Sequence, residues 1–264
     1  MKFALSAPNV RSAQDLVDLA VAAEAGGWDA FFLWDHLHLQ RDLQLDVFDP
    51  FVILGAIATA TSRVLLGTMV TPLPRRRPWV LAKQVTTLDR LSNGRAVLGV
   101  GIGYPASDEF EAFGDLSDDH ARGDLLDEGL ELLDACLRGG AVRHSGAHYQ
   151  VDADLHPGPV TQPRPPIWVA GMWPNRRPFR RAARWDGVVP MSADGMPIRP
   201  QQLAEAVAFM GGPRPGFDVV SSWHWEHTPA EFADAGATWL IESRWVDGGW
   251  YEELMESARN GPAA

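Results

Sequence analysis

The residues of this chain that could do chemistry lie in a few short stretches. Trp34-Asp35-His36 closes an apolar run, with Leu37 and His38 behind it. An imidazole changes charge near neutral pH, so His36 at the end of a strand could serve as an acid, a base or a hydrogen-bond donor. The alternative is a structural histidine bonded to Asp35 or to a backbone carbonyl. Further on, Thr68-Met69-Val70-Thr71-Pro72 offers small and β-branched residues against which a flat ring could lie. Gly99-Val100-Gly101-Ile102-Gly103-Tyr104 follows, where glycines let a ligand approach the backbone or simply make a tight loop. Its spacing is not that of a dinucleotide-binding fingerprint. Last comes Ala170-Gly171-Met172-Trp173-Pro174-Asn175, feeding a helix that begins with Arg176 and Arg177, a place for an anion. Together these stretches suggest an extended ligand with its ring near the second to fourth strands and its phosphate near the fifth.

Such residues need a scaffold that brings strand ends together. Residues 64–104 read as strand, loop, amphipathic helix, turn and strand, which is a βαβ unit and implies a parallel sheet. Pro78 opens the helix, and Asn93-Gly94 ends it. The same alternation runs along the chain. Strands are expected at Lys2–Ala7, Ala30–Trp34, Val64–Val70, Arg95–Val100, Ile167–Ala170, Gly187–Pro190, Phe217–Ser221 and Thr238–Glu242. Helices are expected at Ala13–Ala25, Pro50–Thr61, Pro78–Leu91, Asp119–Leu137, Arg176–Arg184, Pro200–Met210, Pro229–Ala235 and Gly248–Ala258. Eight strands, each followed by a helix, predict a single (β/α)8 TIM barrel over residues 1–264, with its chemistry at the carboxyl ends of the strands. An open doubly wound sheet would also alternate. Ala141–Pro166 reads as a surface excursion.

The formal net charge of −11 argues against nucleic acid. No apolar run is long enough to cross a bilayer, and the N-terminus enters a strand without a basic leader, so a cytoplasmic protein is expected. Arg75-Arg76-Arg77 is read either as a solvated loop or as a holder of an anionic cofactor tail or a partner subunit. The lone Cys136 is expected to be buried and inert. No metal site is expected, because His224 and His227 have no third ligand in view. The tail is rich in tryptophan and histidine. Its aromatics could be packing, or Trp223 and His224 could line a substrate pocket if they fall at a strand end.

The segments FFLWDHL, TPLPRRRPWVLAKQVTTLDRLSNGRAVLGVGIGY, EFEAFG and PPIWVAG with AARWDGVVP occur in the order, and with the residues, of the bacterial luciferase-like superfamily, which the chain resembles as far as about Pro190. The resemblance implies a barrel that binds FMN or its 5-deaza relative, coenzyme F420, with a shortened C-terminal part and a more open mouth here. Asp35-His36 resembles the F420-dependent branch, which implies His36 as the proton donor or acceptor, Asp35 as its orienting neighbour and Trp34 beside the substrate. Thr68 and Met69 match the bulge under the ring, which in relatives often carries a non-prolyl cis peptide. Gly101, Gly103 and Tyr104 match the loop beside the ring, while Gly171, Met172, Trp173 and Asn175 match the phosphate loop. Some relatives have a glutamate acid where this chain has Tyr104, a role that Glu109 or a substrate group would have to fill. The implied function is hydride transfer between F420 and a small organic molecule, in a homodimer. The alternatives are an FMN-dependent monooxygenase supplied by a partner reductase, and a non-catalytic flavin-binding homologue or subunit.

Overall fold

A computed structural model describes residues 1–212, 214–223 and 226–262. Eight parallel strands close into a barrel: β1 (Lys2–Ala7), β2 (Ala30–Leu33), β3 (Leu65–Pro72), β4 (Ala96–Gly101), β7 (Ile167–Trp173), β8 (Gly187–Ser192), β9 (Asp218–Ser222) and β10 (Trp239–Ser243). β10 pairs with β1, so no edge is left open. The helices α1 (Ala13–Ala25), α2 (Pro50–Ala60), α3 (Pro78–Leu91), α5 (Asp119–Arg138), α6 (Arg176–Ala182), α7 (Pro200–Phe209), α8 (Pro229–Asp234) and α9 (Trp250–Asn260) lie between and after the strands. This is the expected (β/α)8 architecture, and most element ends fall within two residues of those read from the sequence. The short α4 (Ala106–Glu109) and the antiparallel hairpin β5 (Gly140–Ser145) with β6 (Gln150–Leu155) are additions. The hairpin occupies what reads as a plain excursion, although β6 alternates strictly between exposed polar and half-buried apolar residues from Gln150 to Leu155. No helix among the described residues is long and apolar enough to cross a membrane.

Two apolar layers hold the fold. Between strands and helices lies the main core, built from residues such as Leu5, Leu16, Leu54, Leu81, Leu130 and Leu203. Inside the barrel, Ala4 and Ala30 leave room for Phe32, Trp168 and Trp239. The Trp168 ring stands 5.6 Å from Phe32 and 5.3 Å from Trp239. Both indoles are buried, and both donate to one carboxylate: Trp168 Nε1 to Asp218 Oδ2 at 3.1 Å and Trp239 Nε1 to Asp218 Oδ1 at 2.9 Å. The ammonium of Lys2 lies 4.9 Å over the Trp239 ring. This aromatic plug fills the amino-terminal half of the barrel and leaves the carboxyl end for a ligand.

Arg95, expected to start a strand, instead pins α2 to the barrel. Its guanidinium donates to Ser92 O, Val64 O, Thr61 Oγ1, Thr61 O and Ala58 O at 2.8–3.0 Å. Two of those carbonyls belong to the last turn of α2 and its cap, where the helix dipole favours a cation. Cys136 is buried in α5 as expected, and burial pushes its thiol up to about 11.

Replacing Asp218 by alanine strands two buried indole donors. Asp218→Ala is expected to lower the unfolding free energy by about 2–4 kcal/mol, with Asp218→Asn, which keeps one acceptor, losing less. Urea unfolding followed by tryptophan fluorescence measures both, and equal stability of all three proteins would show that the carboxylate does not hold the plug.

Candidate active site

The site grows from the loops that leave β2, β3 and β4. β3 carries a β-bulge: Thr68 pairs with Leu98 but Thr71 pairs with Val100, so β3 has one residue more than β4. Residues three apart on a regular strand face opposite sides, and the extra residue brings Thr68 and Thr71 to the same side, their hydroxyls 2.8 Å apart. The Met69–Val70 peptide inside the bulge is cis, and both side chains pack on the barrel interior.

Thr71 Oγ1 donates to Asp35 Oδ2 at 2.8 Å, which ties the bulge to the residue before His36. Asp35 is buried and takes four further hydrogen bonds from the arginines after β3. Arg76 Nε and Nη2 reach its two oxygens at 3.0 and 2.8 Å, while Arg75 Nη2 reaches Oδ1 at 3.0 Å and the backbone oxygen at 2.9 Å. The other arm of Arg75 pairs with the buried Glu109 from α4. Arg75 and Arg76 are therefore neither a solvated loop nor free to hold an anionic tail; two buried carboxylates use them.

Glu109 also gathers the loop after β2. The backbone amides of Leu37, His38 and Leu39 donate to it at 2.9, 3.0 and 2.8 Å. His36 Nδ1 lies 3.3 Å from Oε1, within ion-pair reach but off the line of a good hydrogen bond. Burial by itself would raise this carboxyl, but His36 and the amides of Leu37 and His38 outweigh it and hold Glu109 down to about 2. Such a carboxylate has no proton to donate near neutral pH, so its surroundings do not suit the acid role expected for it.

His36 itself is held through its backbone. Asn9, just past β1, donates to His36 O at 2.9 Å and accepts from His36 N at 3.3 Å. The ring keeps 20% of its side-chain surface exposed at the barrel mouth. It stands 5.8 Å from the Trp34 ring, which in turn stands 5.9 Å from Trp245 beyond β10.

The glycine loop after β4 has a partner that sequence reasoning missed. Arg122, fully buried on α5, donates to Ile102 O at 3.0 Å and Gly103 O at 2.8 Å and lies 4.5 Å over the Phe110 ring. Gly103 has φ +88°, and a Cβ there would stand 2.6 Å from that ring. Arg122 falls in helical register with Leu126, Leu130 and Leu133, and an arginine on the buried stripe of a helix was the signal for it. Gly101 ends β4, and Tyr104, 70% exposed, stands on the rim beyond it.

The strand-five loop is rearranged relative to expectation. β7 continues to Trp173, so its residues alternate sides. Trp173 turns outward and is buried against Phe179 and Phe209, with Nε1 donating to Glu205 at 3.2 Å, so its ring packs in the helix layer. Gly171 faces the same layer, where a Cβ would come 2.6 Å from Pro178. Met172 is half-buried on the opposite side, and Asn175 is exposed before α6. Arg177 is paired with Asp124 and Asp127. Trp223 is half-buried, its Nε1 donating to His227 O at 3.0 Å, while His224 lies outside the described residues. Among the described residues no group of three or more His, Cys, Asp and Glu could hold a metal ion.

A closed parallel barrel with a bulged third strand, a histidine after the second and a glycine loop after the fourth defines a class. The sequence model of the luciferase-like monooxygenase family matches residues 1–256, and the chain belongs to that family. Among its relatives is an F420-dependent glucose-6-phosphate dehydrogenase of Beutenbergia cavernae, 34% identical over 198 residues, which are 74% of this chain and 57% of that one. The chain thus spans little more than half the length of that relative. Two solved structures share the fold over 98% of both chains: the F420-dependent tetrahydromethanopterin reductase of Methanopyrus kandleri (TM-score 0.79, 16% identity) and an F420-dependent secondary alcohol dehydrogenase in complex with an F420–acetone adduct (TM-score 0.78, 18% identity).

Glu109→Gln would leave Arg75 and His36 beside a neutral amide and is expected to cost about 3 kcal/mol near pH 7. The folded-state carboxyl is depressed, so the wild-type advantage is complete above about 4.5 and is lost as pH falls toward about 2. The gap between the urea midpoints of the two proteins near pH 7 should narrow by about half near pH 3 and close only near pH 2. Identical midpoints near pH 7 would mean that the carboxylate does not brace the loops.

Proposed function

We propose that this protein is an F420-dependent oxidoreductase that exchanges a hydride with a small organic substrate, with His36 as the proton acceptor or donor. The observation that carries the reading is the placement of His36: backbone clamped by Asn9, Nδ1 beside the buried Glu109, ring open to the barrel mouth. The relatives named above, which are F420-dependent by name, support the choice of cofactor.

The cradle suits a flat ring. The Met69–Val70 bulge packs on the barrel interior and is anchored through Thr71 to Asp35, while Arg122 steadies the glycine loop on the far side. F420, when bound, would accept or supply the hydride as a two-electron carrier. The protein's part is to hold ring and substrate face to face and to move the proton. With its buried Nδ1 3.3 Å from an anionic Glu109, the ring would exchange the substrate proton through Nε2. Protonation then produces an imidazolium 3.3 Å from a carboxylate that is already ionised. Glu109 and Arg75 act as positioning residues, because neither has a proton or a free face to offer.

Titration of the purified protein with F420 and with FMN, each oxidised and reduced, is expected to show tryptophan quenching by F420. Preference for reduced FMN would instead indicate an oxygen-using monooxygenase with a reductase partner. In the F420-bound protein, His36→Ala should lower kcat by about 10²–10⁴-fold with cofactor affinity nearly unchanged. An unaltered rate would remove His36 from the mechanism.

A further inference from the structure

One methionine breaks the burial of its strand. β8 is buried along its whole length except at Met191, which is 41% exposed. Val189 packs inside the barrel, and the alternation of a strand turns Met191 to the same side, where it pairs in register with Met172 of β7. An interior side chain open to solvent lines the mouth where a ligand would cover it. The adjoining strands carry little bulk on that face: Ala170 on β7, and on β4 Gly101, whose added Cβ would stand 3.5 Å from the Ala170 Cβ. Position and exposure together set Met191 apart from the other methionines. Met69, Met172, Met210 and Met255 are half-buried, while Met1 and Met196, 47% and 53% exposed, lie outside the barrel, at the start of the chain and on the loop after β8.

A thioether needs no deprotonation to react with a peroxide, so its rate follows access to the sulfur. The Sδ lone pair attacks one oxygen of hydrogen peroxide. An S–O bond forms and the O–O bond breaks, the departing hydroxide takes the proton left on the transferred oxygen, and the products are sulfoxide and water. Sulfur loses two electrons and the peroxide gains them. The sulfoxide is polar and chiral, and it is reduced back by dedicated reductases. At Met191 its oxygen would stand among the side chains of Met172, Ala170 and Val189, which have no hydrogen to donate to it. A ligand that covered it would bury an unpartnered polar group, which costs binding free energy.

We propose that Met191 is a site of reversible oxidation by hydrogen peroxide, at which the sulfoxide weakens cofactor binding and bound cofactor in turn shields the sulfur. This rests on the F420-dependent reading above. Met196 has the same chemistry, but outside the barrel its oxidation has no such consequence, which makes it the internal control.

The test exposes the ligand-free protein and the protein saturated with F420 to dilute hydrogen peroxide and follows each methionine by peptide mass spectrometry. In the ligand-free protein Met191 and Met196 should both oxidise about tenfold faster than Met210 and Met255. With F420 bound, Met191 should slow by at least about tenfold while Met196 keeps its rate. Tryptophan quenching should show the oxidised protein binding F420 about tenfold more weakly, with the loss reversed by a methionine sulfoxide reductase. Met196→Leu should lose affinity on peroxide treatment as the wild type does, whereas Met191→Leu should bind F420 equally before and after treatment. Slow oxidation of Met191, oxidation that bound F420 does not slow, unchanged affinity of the oxidised wild type, or a loss in Met191→Leu equal to that of the wild type overturns the inference while leaving F420 dependence intact. Failure of F420 to bind the untreated protein removes the functional reading, and the inference falls with it.

Discussion

The structure of the site depends on one guanidinium shared between two buried carboxylates. Arg75 holds Asp35 with one arm and Glu109 with the other, and so welds together the loops that leave β2, β3 and β4. With Arg76 included, the cluster has two positive and two negative charges. That balance matters because an uncompensated buried charge costs several kcal/mol, whereas a compensated and hydrogen-bonded set can persist. Glu109 also takes three consecutive backbone amides, so the segment after His36 is shaped around an anion that belongs to the protein.

Asp35, Glu109, Arg75 and Arg76 neutralise one another without His36, whose ring stays partly open at the barrel mouth. The floor of the barrel contributes rigidity by different means. Trp168, Trp239 and Phe32 fill it, and Asp218 satisfies the two indoles. A polar upper layer of paired charges thus rests on an aromatic lower layer.

Much of the fold was legible in the sequence because its signals are local. The apolar runs of β1 and β4, the spacing of α3 and its Pro78 and Asn93-Gly94 punctuation read correctly, and α1 and α3 have the expected ends. The hairpin of β5 and β6 escaped because the prolines and glycines of its surroundings read as loop, although Val151, Ala153 and Leu155 alternate with polar residues along β6. The orientation of the Trp173 ring was not legible either. Whether an aromatic near a strand end faces the ligand or the helix layer depends on where the strand stops, and β7 runs three residues past Ala170.

The sequence by itself determined the barrel, the order of its elements and the places where strand ends meet loops, including the position of His36. Periodicity and turn chemistry act over a few residues, so they can be read along the chain. Only the tertiary structure decided what the charged residues do. Arg75 meets Asp35 from 40 residues away and Glu109 from 34. No local pattern distinguishes an arginine bound for solvent from one bound for a buried carboxylate, because the difference lies in the desolvation and pairing that appear when distant segments pack together.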